Sequence, residues 1–144
     1  MPHEDALRNV QLFSQLPSKD LTRLGRAAVE RAYKKGATIV KEGEQAVAFF
    51  IIINGKVEVT QSAGSKKSQV LSTLGPGSTF GEMALLDGGP RAATVKALED
   101  VKCLVLSRWD FVAELQTNPH MAVAMLPIRS RRLREVEAKL AATH

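Results

Sequence analysis

Residues Phe80–Val95 read FGEMALLDGGPRAATV, and this stretch decides the fold. It opens on a Gly-Glu pair, continues through a short apolar run able to make one helical turn, and then passes a Gly-Gly loop into a Pro-Arg step and a period-2 segment. Gly81 has no Cβ, so its backbone can adopt unusual dihedrals and come close to a bound molecule. A turn over Glu82 to Leu86 would present unpaired N–H groups at its start, an arrangement suited to an anion. On the strand that follows, Arg91, Ala93, Val95 and Ala97 share one face while Thr94 and Lys96 take the other, so Arg91 is predicted to point with the apolar side. An uncompensated buried guanidinium is strongly unfavourable, so something negative should sit against it. A phosphate held by a fork of donors satisfies that requirement, and so does Glu82 in a purely structural ion pair.

Outward from this stretch, glycines at 36, 43, 55, 64, 75 and 81 punctuate the chain at intervals expected of an all-β sandwich or barrel. Strands are predicted over Thr38–Val40, Ala48–Ile53, Lys56–Gln61, Gln69–Leu74, Arg91–Ala97 and Val101–Ser107. The run Phe49 to Ile53 is apolar at every position and should be covered on both faces. Asn54-Gly55 after it is a type I′ hairpin signal, and Val57 and Val59 then alternate with Lys56 and Glu58. The segment Ser62–Ser68 reads as an exposed hairpin tip. The fold class is therefore mainly β with flanking helices, a double-stranded β-helix or jelly-roll barrel.

Helices flank the strands on both sides. Val10, Leu12, Phe13 and Leu16 form a short apolar segment stopped by Pro17. Ser18 is then expected to cap a helix carrying Leu21, Leu24 and Ala28 on one face. Beyond the last strand, Trp109–Gln116 makes a short helix with Phe111, Val112 and Leu115 inward. Asn118-Pro119 starts a longer one, ~36 Å through Ala142 if continuous. Pro127 should kink or interrupt it. Leu126, Leu133 and Leu140 recur every seven residues, which suits either a cover over the barrel or a helix pair in a homodimer.

At 144 residues the chain is expected to be one domain, able to bury roughly 70% of its unfolded surface. The expected division is N-terminal helices over 1–32, a β-barrel over 33–107 with the 80–95 stretch inside it, and C-terminal helices over 108–144. Its single cysteine, Cys103, lies in an apolar run and reads as a small buried hydrophobe, which excludes a disulfide framework and fits a reducing, cytoplasmic compartment. No run approaches ~18 apolar residues, so no membrane span is expected. Net charge is +5 with Lys and Arg spread out. No second DNA-reading helical pattern follows the tail, so direct DNA binding is not expected. His3, His120 and His144 all fall outside the predicted strands, so no metal is expected in the barrel. No nucleophile-base set or carboxylate pair suggests an enzyme, and one cysteine excludes an iron–sulfur sensor.

The motif FGEMAL at Phe80–Leu85, followed by PRAAT at Pro90–Thr94, resembles the phosphate-binding cassette of cyclic nucleotide-binding domains. This is the module of catabolite-activator-type transcription factors, protein-kinase-A regulatory subunits and nucleotide-gated channels. The similarity runs from about Val10 to Thr117. It implies that Arg91 holds the cyclic phosphate and Glu82 the ribose 2′-hydroxyl. Amides of Met83, Ala84 and Ala92 complete the anion site, and Gly81 allows the approach. Val59 and Leu71 would be pocket walls, and Arg132, in the cluster 129–134, would stack on the purine as a lid. Ala rather than Thr at position 92 implies cyclic AMP over cyclic GMP. The expected protein is a cyclic-nucleotide sensor whose cassette moves the 109–116 hinge helix and the tail, passing the signal to an effector protein. The other expectations are a degenerate domain serving as a protein-interaction scaffold, or the regulatory piece of a channel or transcription factor.

Overall fold

An apolar side chain at every position of a strand demands two covered faces, and this is how the centre of the protein is built. In the computed structural model, which describes residues 2–62, 69–82, 85 and 88–125, the central strand β3 spans Ala48–Asn54 and buries Phe49, Phe50, Ile51 and Ile52. Successive side chains on a strand point to opposite faces. Phe49 and Ile51 accordingly enter one buried cluster with Leu7, Phe13, Leu21, Leu24 and Phe111. Phe50 and Ile52 enter another with Val57, Val95, Cys103 and Val105. The first cluster lies under the helices and the second fills the space between the sheets.

The helical layer begins with α1 (Pro2–Arg8) and a 3₁₀ turn at Gln11–Phe13, followed by α2 (Ser18–Ala27). Val10, Leu12, Phe13 and Leu16 are all buried, as their apolar spacing requires. Ser18 is the first helical residue and not the cap. Pro17 occupies the cap position with no side-chain hydrogen bond, and the Ser18 hydroxyl accepts from Arg8 Nη2 at 3.1 Å instead.

Strands β1 (Val29–Tyr33), β2 (Thr38–Val40), β4 (Val57–Gln61), β5 (Gln69–Leu74), β6 (Thr79–Phe80), β7 (Thr94–Ala97) and β8 (Val101–Ser107) complete two four-stranded sheets. Their orders are β1-β8-β3-β6 and β2-β7-β4-β5, and every strand pairing within them is antiparallel. This is the jelly-roll arrangement. Three local differences from the sequence expectation have clear causes. Strand β1 opens at Val29, inside the stretch expected to be helical. It is a mostly exposed edge strand, so no apolar face announces it. The Asn54-Gly55 turn is not type I′, because among the described residues only glycines have a positive φ. That turn carries the chain from one sheet to the other, so β3 and β4 are not a hairpin. Finally, β7 begins only at Thr94, because 88–91 pairs with a different segment described below.

Cys103 is fully buried, and burial pushes its thiol from 9.0 to about 11, so it stays protonated. After β8, Ser107 caps α3 (Arg108–Thr117) by accepting from the Asp110 amide at 3.1 Å. Residues 120–125 are helical again after Asn118-Pro119, and Met121 and Met125 join the buried cluster under the helices. The expected kink at Pro127, the leucine repeat and the arginine cluster lie outside the described residues, as do residues 63–68 of the β4–β5 tip. Among the described residues, no helix is long and apolar enough to cross a membrane.

Candidate functional site

Arg91 does point inward, but from a loop and not from a strand. Its backbone is clasped by the segment 43–48. The Gly43 amide donates to the Arg91 carbonyl at 2.9 Å, and the Arg91 amide donates to Glu44 O at 2.7 Å. Gln45 pairs with Pro90 in an isolated antiparallel bridge, and its Nε2 donates to Gly88 O at 3.0 Å. The Ala46 amide donates to Gly89 O at 2.9 Å. Such a ladder fixes where the arginine side chain leaves the chain, as a strand would.

The side chain then reaches the start of β3. Arg91 Nη2 donates to Ala48 O at 2.8 Å, and the guanidinium carbon stands 5.7 Å from the centre of the Phe50 ring. Phe50 stacks in turn on Phe80, with centroids 4.7 Å apart and planes 8° from parallel. Burial lowers the Arg91 pKa from its ordinary value, and Glu44 partly opposes that shift. The site therefore holds a half-desolvated cation over an aromatic face, an environment in which an anionic partner gains much more than it would in water.

Gly81 is shaped to this arginine. Its φ is +83°, and a Cβ there would run into Arg91 Nη1 and stand 2.9 Å from Ala48 O. A larger residue would take the space of the guanidinium itself. Glu82 follows in a turn and is half-buried. Leu85, whose amide donates to Glu82 O at 3.1 Å, is buried in the cluster that also contains Phe111 and Met121. Met83 and Ala84 lie outside the described residues.

The other sequence candidates are placed unevenly. Val59 pairs with Val95 and packs against the cluster between the sheets. Leu71 is 53% exposed on β5, at a register shift where Val59 faces Ser72 and Thr60 faces Val70, so Leu71 itself is skipped. A bulge at an edge strand turns that side chain away from the enclosed wall. Ala92 is exposed, and its carbonyl accepts from Gln61 Nε2 at 3.0 Å. Arg132 lies outside the described residues. Glu44, Gln45 and the Ala48 carbonyl carry no signal along the chain. Backbone acceptors carry no residue signature, and Gly-Glu-Gln is unremarkable until 88–91 is seen paired to it. Among the described residues, no group of three or more His, Cys, Asp or Glu gathers to hold a metal.

A half-buried cation in a jelly-roll fold, shaped by a glycine and backed by a turn, is an arrangement suited to an anionic ligand. The Cyclic nucleotide-binding domain family matches residues 30–118, and the chain belongs to that family. It is 41% identical to human cGMP-dependent protein kinase 2 over 111 residues, which is 76% of this chain and 15% of the kinase. It is 36% identical to the Cyclic AMP receptor protein of Thermus thermophilus over 110 residues, 76% of this chain and 51% of the receptor. The crystal structure of the N-terminal domain of a transcriptional regulator from Streptomyces coelicolor A3(2) superposes with a TM-score of 0.84 at 32% identity, covering 92% of this chain and 94% of that one. The chain thus spans about half the length of the receptor and much less of the kinase. The family is one of regulatory, ligand-binding domains and not of catalysts.

Proposed function

We propose that this protein is a cyclic AMP sensor that prefers cyclic AMP to cyclic GMP and converts binding into movement of the helices after β8. The observation that carries the proposal is the half-buried Arg91 guanidinium with Gly81 moulded around it. In this assignment Arg91 holds the cyclic phosphate and Glu82 the ribose 2′-hydroxyl. Amides of Met83, Ala84 and Ala92 line the phosphate, Val59 lies along the wall, and Arg132 covers the base. Leu71, half-exposed at its bulge, serves only if β5 closes inward. Residues 1–144 act as one unit in the cytoplasm. The unit makes no DNA contact of its own and passes the ligand state to an effector protein, with a homodimer through the C-terminal helix as its assembly.

The relatives' names mention both nucleotides, so the preference rests on Ala92. A residue without a hydroxyl cannot reach the guanine amino group, and one such hydrogen bond is worth about 0.5–1.5 kcal/mol, or roughly two- to twelvefold in affinity. Movement follows from packing, since Leu85 shares a buried cluster with Phe111 of α3 and Met121 beyond it. A shift of the turn carrying Leu85 therefore changes what those helices rest on.

Calorimetry with both nucleotides tests the assignment. Cyclic AMP should bind, and Arg91→Ala should weaken it by ~1.5–3 kcal/mol, the worth of a charge-assisted hydrogen bond. Ala92→Thr should narrow the gap to cyclic GMP. Unchanged cyclic AMP affinity in Arg91→Ala removes the arginine from the site, and absence of binding in the unsubstituted protein refutes the sensor.

A further inference from the structure

Two consecutive carbonyls at the entrance to β3 hold the two ends of the site. The Val47 carbonyl accepts from the amide of Arg108, the first residue of α3, at 2.8 Å. The next carbonyl, Ala48 O, accepts from Arg91 Nη2 at 2.8 Å. A single peptide link therefore separates the group that steadies the phosphate-facing arginine from the group that anchors the hinge helix.

The Arg108 side chain closes the circuit from the other side. It lies against Gly88, where a Cβ would meet Arg108 Nε at 3.1 Å and Cδ at 3.2 Å. Gly88 itself is buried with φ +67°, and its carbonyl is already taken by Gln45 Nε2. Among the described residues, the buried Arg108 Nε–H finds no hydrogen-bond partner. Its guanidinium carbon stands 5.8 Å from the centre of the Trp109 ring. A buried donor left unpaired disfavours the arrangement that contains it, and any rearrangement supplying an acceptor is favoured by the difference.

We propose that Arg108 is a positioning residue that couples phosphate binding to the seating of α3: its Nε–H gains an acceptor when a ligand phosphate draws Arg91 off the Ala48 carbonyl. This rests on the cyclic-nucleotide assignment above and adds the device that transmits it. A ligand moves an equilibrium only as far as it prefers one state to the other. The orphaned donor supplies such a preference, because it is unsatisfied in one arrangement and satisfied in the other.

Arg108→Lys isolates the effect. Lysine keeps the charge and the aliphatic stem but puts a methylene where Nε–H stood, so no buried donor is orphaned. Without nucleotide, Arg108→Lys should melt at or above the temperature of the unsubstituted protein. Its cyclic AMP affinity, read by calorimetry, should fall about tenfold, the scale of one hydrogen bond to a charged group. The emission change of Trp109, the sole tryptophan, on saturation with cyclic AMP should shrink in parallel. A merely structural arginine would instead lower melting temperature and leave affinity alone. Gly88→Ala, which presses a Cβ onto the same Nε, should also weaken binding, measured on the folded variant. Unchanged affinity and an unchanged Trp109 response in both variants overturn the coupling role while leaving the sensor assignment standing. No binding by the unsubstituted protein overturns both.

Discussion

Gly81 and Arg91 are two residues competing for one volume, and the glycine's missing side chain settles the competition. The φ of +83° at Gly81 lies in a region where an L side chain costs roughly 1–2 kcal/mol, and the added Cβ would displace Nη1 of the arginine. Gly81→Ala should therefore lower stability by about 1–2 kcal/mol in urea unfolding. It should also reduce cyclic AMP affinity towards that of Arg91→Ala, measured by calorimetry on the folded variant. Full-strength binding in Gly81→Ala would mean that the arginine has another way into the site. The unusual backbone of Gly81 was legible in the sequence, because a residue without a Cβ is the one free to adopt it. The Ala48 carbonyl was not legible, since any residue there would offer the same acceptor. Arg108 was passed over for a related reason. Read along the chain it falls between the expected strand and the expected helix, and only the fold brings it against Gly88.

At the scale of elements, strands with a strong pattern were legible, three of them to the residue, and those without one were not. Strands β2, β5 and β8 span the predicted residues, because glycines bound the first two and β8 is a long apolar run. Strand β1 is an exposed edge and β6 has two residues, so neither carries a periodicity to read. The joint between α2 and the C-terminal helices was equally hidden, because it depends on charges far apart in sequence. Asp20 is fully buried in the first turn of α2 and pairs with Arg23. His120 Nε2 lies 2.9 Å from its Oδ2. Arg23 Nε also donates to Glu114 of α3 at 3.1 Å, and Glu114 receives Asn118 Nδ2 at 3.3 Å. Asp20 and Glu114, bridged by Arg23, thus tie three helical segments together. Asp20→Ala leaves Arg23 and His120 able to turn to solvent, so the loss should be about 1–3 kcal/mol and short of the figure for stranding a buried ion. Urea unfolding measures it, and a change below about 0.5 kcal/mol, the range of ordinary surface substitutions, would show that the network holds nothing.

For the molecule as a whole, the decisive feature is that β3 and β8 serve two cores at once. Leu104 and Leu106 of β8 face the helical cluster, while Cys103 and Val105 face the space between the sheets. The two layers therefore share these strands, and they cannot melt independently without exposing one side of each strand. Small single domains held this way unfold in one cooperative step. Melting followed by Trp109 emission, which reports on α3, should coincide with melting followed by far-ultraviolet circular dichroism, which is weighted by the whole fold. Cyclic AMP at a hundredfold excess over its dissociation constant should add about 2.7 kcal/mol to the folded state. For a chain of this length that raises both midpoints together by roughly 5–11 °C. Arg91→Ala should lose most of the shift. A Trp109 transition that precedes the dichroism transition, or that alone responds to the nucleotide, would show that α3 is held separately from the barrel and that the shared strands do not link them.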